Sequence, residues 1–165
     1  MSRFPAAPSN FIALFALTLC ILAVASPALR AWWVTDGIGS CTWGSSSEQN
    51  PEICSDGMGG AIVVWESYPV ADWNIYARRV NASGSYPWAG DAVDICWAPD
   101  DEHSAAIVAD GAGGALIAWH DERNVNWDIY MQRTSSTGDT RWAASGAPLC
   151  TATGAQTTPV IIPAG

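Results

Sequence analysis

The stretch Asp110–Arg133, DGAGGALIAWHDERNVNWDIYMQR, decides how this chain is read. A glycine-rich turn, DGAGG, leads into one apolar run, ALIAWH, and a second run, DIYMQR, follows. Asp-Gly and Gly-Gly take positive φ at little cost, which a tight hairpin needs. Ala115–Trp119 is apolar at successive positions, so its strand is expected to be covered on both faces. A degraded copy lies upstream at Asp56–Arg79, DGMGGAIVVWESYPVADWNIYARR. Asp56 and Asp110, Trp65 and Trp119, Tyr76 and Tyr130, and Arg79 and Arg133 are each 54 residues apart. Aligned without gaps, Pro51–Cys96 and Ala105–Cys150 share 15 of 46 positions, mostly glycines, aromatics and the turn aspartate. A fixed period of that length marks a repeat architecture.

Each unit is predicted to hold four short strands. The first covers Glu52–Ser55 and Ala106–Ala109, and the second covers Ala61–Trp65 and Ala115–Trp119. The third covers Asn74–Val80 and Asp128–Thr134, after a loop of about eight residues. Turns at Asn81–Gly84 and Ser135–Gly138 lead to a fourth strand within Trp88–Cys96 and Trp142–Cys150, where Gly90 and Gly146 suggest a bulge. Beyond residue 31 no segment has helical periodicity, so the predicted class is all-β. Repeat 1 spans about 42–96, repeat 2 about 97–150, and a partial third runs over 151–165. The neighbouring faces around Val63, Val64, Ile117 and Ala118 are expected to be partly uncovered, and Trp33–Cys41 and Pro159–Ile162 to offer open strand edges.

The start of the chain is of another kind. Arg3 precedes the 15-residue apolar run Phe11–Ala25, which ends in a small-x-small site at Ala23–Ala25, with Ala28 as a second cleavage option. This predicts a signal peptide over 1–25, a linker over 26–32, and export to the periplasm, cell surface or medium. The run is shorter than the roughly 20 residues of a spanning helix, so an uncleaved anchor is the alternative, and no stable membrane insertion is expected after cleavage. An exported chain can form disulfides. However, Cys41, Cys96 and Cys150 recur at one repeat position and read as small buried hydrophobes, which leaves Cys41–Cys54 as the bridge to consider. Sixteen acidic residues against seven arginines and no lysine give a net charge of −9, which excludes a nucleic-acid or anionic-membrane partner.

These residues resemble the repeats of secreted bacterial β-propeller proteins, in which DGxGG, a tryptophan followed by Asp and Arg, DIYxQR, a second tryptophan and a terminal Cys recur. Asp110–Gly114, Trp119, Asp121, Arg123 and Asp128–Arg133 match in the second repeat, and Asp56–Gly60 and Trp65 in the first. Ser67 and Pro69 replace the Asp and Arg of the first repeat. The resemblance covers about Trp33–Gly165 and implies four-stranded propeller-type blades, two to two and a half of them. Propellers close with four to eight blades. The chain is therefore expected to be a piece of a longer multi-blade protein, a decayed copy, or a protomer that assembles; the first is favoured. Further blades or self-association are the expected partners.

No catalytic or zinc-binding spacing occurs, and His103 and His120 read as lone residues, His103 standing where Gln49 stands one repeat earlier. Trp73 and Trp127 recur in the loop before the third strand and are the candidate ligand-binding residues, by stacking on a sugar ring. The alternative is that they cap packing between units. Asp56 and Asp110 are weak calcium candidates, set against a role in fixing the hairpin; no cofactor is expected. The expected function is a non-enzymatic exported repeat module, a scaffold or binding surface for protein or glycan. The alternatives are a share of a catalytic propeller of glycosidase or sialidase type, or a lectin-like propeller.

Overall fold

The computed structural model of the chain describes Gly39 and residues 46–163. The expected signal peptide, the linker, Cys41 and, apart from Gly39, the strand at Trp33–Cys41 lie outside these residues. The described region is all-β. It contains β1 (Ser47–Ser55), β2 (Ala61–Tyr68), β3 (Asn74–Val80), β4 (Val93–Cys96), β5 (Glu102–Ala109), β6 (Ala115–Asp121), β7 (Asp128–Thr134) and β8 (Ala147–Cys150). They form two four-stranded antiparallel sheets, β1-β2-β3-β4 and β5-β6-β7-β8, each in chain order.

The repeat is carried into the backbone. Trp65 pairs across the ladder with Tyr76, as Trp119 does with Tyr130. Bulges fall between Gln49 and Glu52 and between His103 and Ala106, which are the same repeat positions. Inside them Asn50 and Ser104 take left-handed φ of 50° and 53°, with a side chain that tolerates it. The β3–β4 and β7–β8 pairs also share a bulge, between Ile75 and Tyr76 and between Ile129 and Tyr130.

The glycine turns act as expected. Asp56 Oδ1 accepts the amides of Met58 (2.7 Å) and Gly60 (2.8 Å), and Asp110 Oδ1 those of Ala112 (2.7 Å) and Gly114 (2.9 Å). The other oxygen of each takes a two-pronged arginine, Arg79 on Asp56 and Arg133 on Asp110. Glycine is required at Gly114 because a Cβ there would lie 2.0 Å from the Thr134 carbonyl oxygen. Gly114→Ala should therefore cost about 3 kcal/mol, the upper end of overpacking penalties. A urea titration that finds less than a third of that loss would show that this turn relaxes freely.

Four expectations need correction. The fourth strands begin only at Val93 and Ala147, because Trp88 turns inward and Gly90 and Gly146 adopt φ of 74° and 87°. The first strands begin earlier, at Ser47 and Glu102. The second strands run on to Tyr68 and Asp121, which shortens the following loop. Val64, Ile117 and Ala118 are fully covered, because the two sheets share one core. That core brings Ile62, Val64, Ile75 and Trp88 together with Ala105, Ile117 and Trp119. At the same junction Trp88 Nε1 and Arg79 Nη1 both donate to the Ser136 carbonyl, at 3.0 and 3.1 Å.

Candidate functional site

Where the two sheets meet, an aromatic strip crosses from one to the other. Trp73 stands just before β3, with its ring against Tyr68 at 5.4 Å and His103 at 5.8 Å between centroids. His103, at the start of β5, meets Trp127 at 5.9 Å, and Trp127 meets His120 edge-on at 4.7 Å. Trp73, His103, His120 and Trp127 are half-buried and Tyr68 is exposed, so each ring packs through part of its surface and shows the rest to solvent. The loop carrying Trp73 is bolted in place. Its amide donates to Asp101 Oδ1 (2.9 Å) and its carbonyl accepts the Glu102 amide (2.8 Å). Both sequence candidates are thus brought to one strip, and the two histidines that read as lone residues lie 6.0 Å apart between them.

The strip rests on Glu66, a fully buried carboxylate at the end of β2. It accepts Gln49 Nε2 (2.9 Å), Asn50 Nδ2 (3.1 Å), His103 Nδ1 (2.8 Å) and the Ser104 amide (2.7 Å). The β5 bulge frees that amide for the carboxylate. Burial alone raises the Glu66 pKa, but these donors outweigh it and hold the group below the usual carboxylate range. The hydrogen bond to Glu66 in turn raises His103, whereas burial and the charge of His103 lower His120. Gln49 and His103, equivalent in the repeat, therefore bind one carboxylate from two sheets. Glu66 itself has no counterpart acid, since His120 stands 54 residues on.

A second cluster is sealed inside the junction. Cys96 ends β4, Glu102 begins β5 and Asp121 ends β6, with their ligating atoms within 4.8 Å of one another. Among the described residues neither oxygen of Glu102 has a hydrogen-bond partner of ordinary geometry, and the residue is 0% exposed. Burial, then the nearby charge of Asp121, pushes its pKa up to about 9. Burial likewise drives the Cys96 thiol up. The donor set suits a divalent ion in kind, but the guanidinium of Arg123 holds the cation's place. It bonds Asp121 through Nε (2.7 Å) and Nη2, and Nη2 also reaches Cys96 Sγ (3.1 Å) and the Ser145 carbonyl (2.8 Å). The arrangement is an internal ion latch between the sheets.

Asp121 also accepts Trp119 Nε1 at 3.0 Å. In the first repeat Ser67 replaces it, and among the described residues Trp65 Nε1 has no hydrogen-bond partner. With Ser67 and Pro69 in place of the Asp and Arg, the first repeat has no equivalent of the Asp121–Arg123 pair. The recurrence of Glu48 and Glu102 at the repeat distance was a signal for this cluster, but proximity to Cys96 was not readable from it. Asp56 and Asp110 sit among turn amides and arginines, which more than offset the effect of burial and lower both pKa values. Cys54 is a free thiol, raised to about 11 by burial. A groove of about 640 Å³ runs between β1, β5 and Thr158–Ile161, with Glu52 as its one charged wall residue.

Comparison with protein families, with curated proteins and with solved structures gives no match to this chain.

Proposed function

We propose that the chain is a non-enzymatic, exported module of β-propeller-type repeats that binds a glycan along the strip Trp73–His103–Trp127. The observation that carries this reading is the strip itself: two tryptophans from equivalent loops, flanking one histidine, each half open to solvent. Aromatic faces beside a few fixed polar groups suit the apolar faces and hydroxyls of sugar rings. Asp101 and Glu66 hold the backbone of Trp73 and the ring of His103, so the surface is set before a ligand arrives. The blade reading is supported by the two equal meander sheets, their shared bulges and their shared turn chemistry. The non-enzymatic reading is supported by the sealing of Glu102, the acid with the most altered acidity, away from any substrate.

Titration of neutral oligosaccharides should perturb the tryptophan fluorescence, and Trp127→Ala should weaken binding at least tenfold, or about 1.4 kcal/mol. Binding that Trp73→Ala and Trp127→Ala both leave unchanged would remove the strip from consideration. A response to peptides but not to sugars would make the ligand a protein.

A further inference from the structure

Charge is divided along the strands. β2 and β6 run from the glycine turns to the aromatic strip, and β3 and β7 run back. At the turn end Arg79 and Arg133 meet Asp56 and Asp110, and the Arg141 amide donates to the Arg133 carbonyl. The strip end carries Asp101 and Glu122, and among the described residues neither forms an ion pair. The arginine nearest to them in the chain, Arg123, is turned inward. It is held by Asp121, Cys96 and the Ser145 carbonyl, with its guanidinium 3.8 Å above the Tyr130 ring.

Asp101 and Glu122 are built into the strip. Asp101 Oδ1 accepts the Trp73 amide (2.9 Å), and the Glu122 amide donates to the Asp101 carbonyl (3.1 Å). The residues flanking His103 and His120 are thereby tied together, and both carboxylates are half open to solvent. Behind the bond to Glu66, the charges of Asp101 and Glu122 help to raise the His103 pKa, so both lie within electrostatic reach of that ring. A proton on His103 does not reverse the sign of the strip, because Glu66 neutralises it at 2.8 Å. Burial, and then the charge of His103, lower the His120 pKa, which keeps that ring neutral. The strip therefore presents aromatic surface under a net negative field.

The rings themselves limit the shape of a ligand. A cage for a quaternary ammonium holds its rings apart, with the cation between them. Here Trp73 and Trp127 lie 5.8 and 5.9 Å from His103 between centroids, so neighbouring rings touch and leave no such gap. A ligand must lie along the strip, and a short chain of sugar rings, not a single one, covers both tryptophans.

We propose that the strip takes a linear oligosaccharide of amino sugars with unacetylated amines, its ring faces on Trp73 and Trp127 and its ammonium groups facing Asp101 and Glu122. This rests on the glycan reading given above and names the class of its ligand. A neutral sugar keeps the stacking and loses the charge attraction. A uronate meets repulsion from both carboxylates, which excludes it.

Tryptophan fluorescence of the exported protein tests this with three oligomers of equal length: glucosamine, N-acetylglucosamine and galacturonate. The titrations are made in slightly acid solution, where the amines are protonated. In low salt the glucosamine oligomer should bind about tenfold tighter than the acetylated one, and the uronate should give no response. In about 0.5 M salt the first two should come within about twofold of each other, because the charge attraction is screened. Glu122→Gln and Asp101→Asn should each cut the preference about threefold; the asparagine retains an oxygen for the Trp73 amide.

Equal affinity for the amine and acetylated oligomers overturns the proposal. If Trp127→Ala then weakens both, the glycan reading still stands. A preference that survives in the Asp101→Asn, Glu122→Gln double variant also overturns the proposal, since the attraction would come from elsewhere. Spermine binding as tightly as the glucosamine oligomer would remove both readings, because charge without a sugar ring would then suffice.

Discussion

Trp119→Ala should destabilise the protein by about 3–5 kcal/mol, the usual cost of emptying a large aromatic site in a core. The residue is 0% exposed and sits in the core shared by the two sheets. Its ring stacks on Tyr130 at 6.4 Å, and Gly146 approaches so closely that a Cβ there would lie 2.4 Å from Cη2. The collar that would have to collapse into the vacancy is thus rigid on one side. The truncation also removes the Nε1 donor from Asp121, loosening the latch to Arg123. Trp127, half-buried in the strip, has no such enclosure, and Trp127→Ala should cost clearly less. Guanidinium titrations of the two variants, compared at equal m-value, check this. Equal losses would mean that the strip is core and not a ligand surface.

The second large effect is on pH dependence, through Glu102. Its folded-state pKa, about 9, lies above the ordinary 4.5, so the native state holds a proton that the unfolded chain releases. Stability from this group is fully present below pH 4.5 and is lost as the pH rises toward 9. The slope is at most about 1.4 kcal/mol per pH unit for a single proton. His103, whose pKa is raised by Glu66, adds to the loss above its ordinary 6.5. His120, lowered by burial, works the other way and weakens the fold as the pH falls below that value. Asp56, Asp110 and Glu66 are all lowered, so their contributions disappear only in more acid solution.

Glu102→Gln separates these contributions, because the amide keeps the shape of the side chain without the charge. The variant should be more stable than the parent at pH 8 and should flatten the decline between pH 5 and 9. Chemical denaturation at four or five pH values is sufficient to see it. If both proteins show the same slope, Glu102 is not the group that titrates, and the latch is fully paired by Arg123 alone.

The sequence determined the period, the class and the turn chemistry, because those depend on interactions a few residues apart. Asp56 and Asp110 bind amides two and four residues on, which an Asp-x-x-x-Gly spacing makes legible. Asn74–Val80 and Asp128–Thr134 are strands to the residue expected, since pattern and turns bound them on both sides. The fourth strands start later than the local pattern predicts, because the burial of Trp88, which precedes the first of them, depends on a distant glycine, Gly138. Likewise the sequence could name Trp73 and Trp127, but not the histidine between them.

Only the packing of one sheet on the other decided that Glu66 and His103 meet, 37 residues apart, and that Cys96, Glu102 and Asp121 are sealed together. The physical reason is that burial sets these charges. A carboxylate near a strand end is a solvated surface group until a neighbouring sheet removes its water, after which it must find donors, as Glu66 does, or keep a proton, as Glu102 does. Local pattern encodes the strands, whereas desolvation at their junction exists only once both sheets are in place.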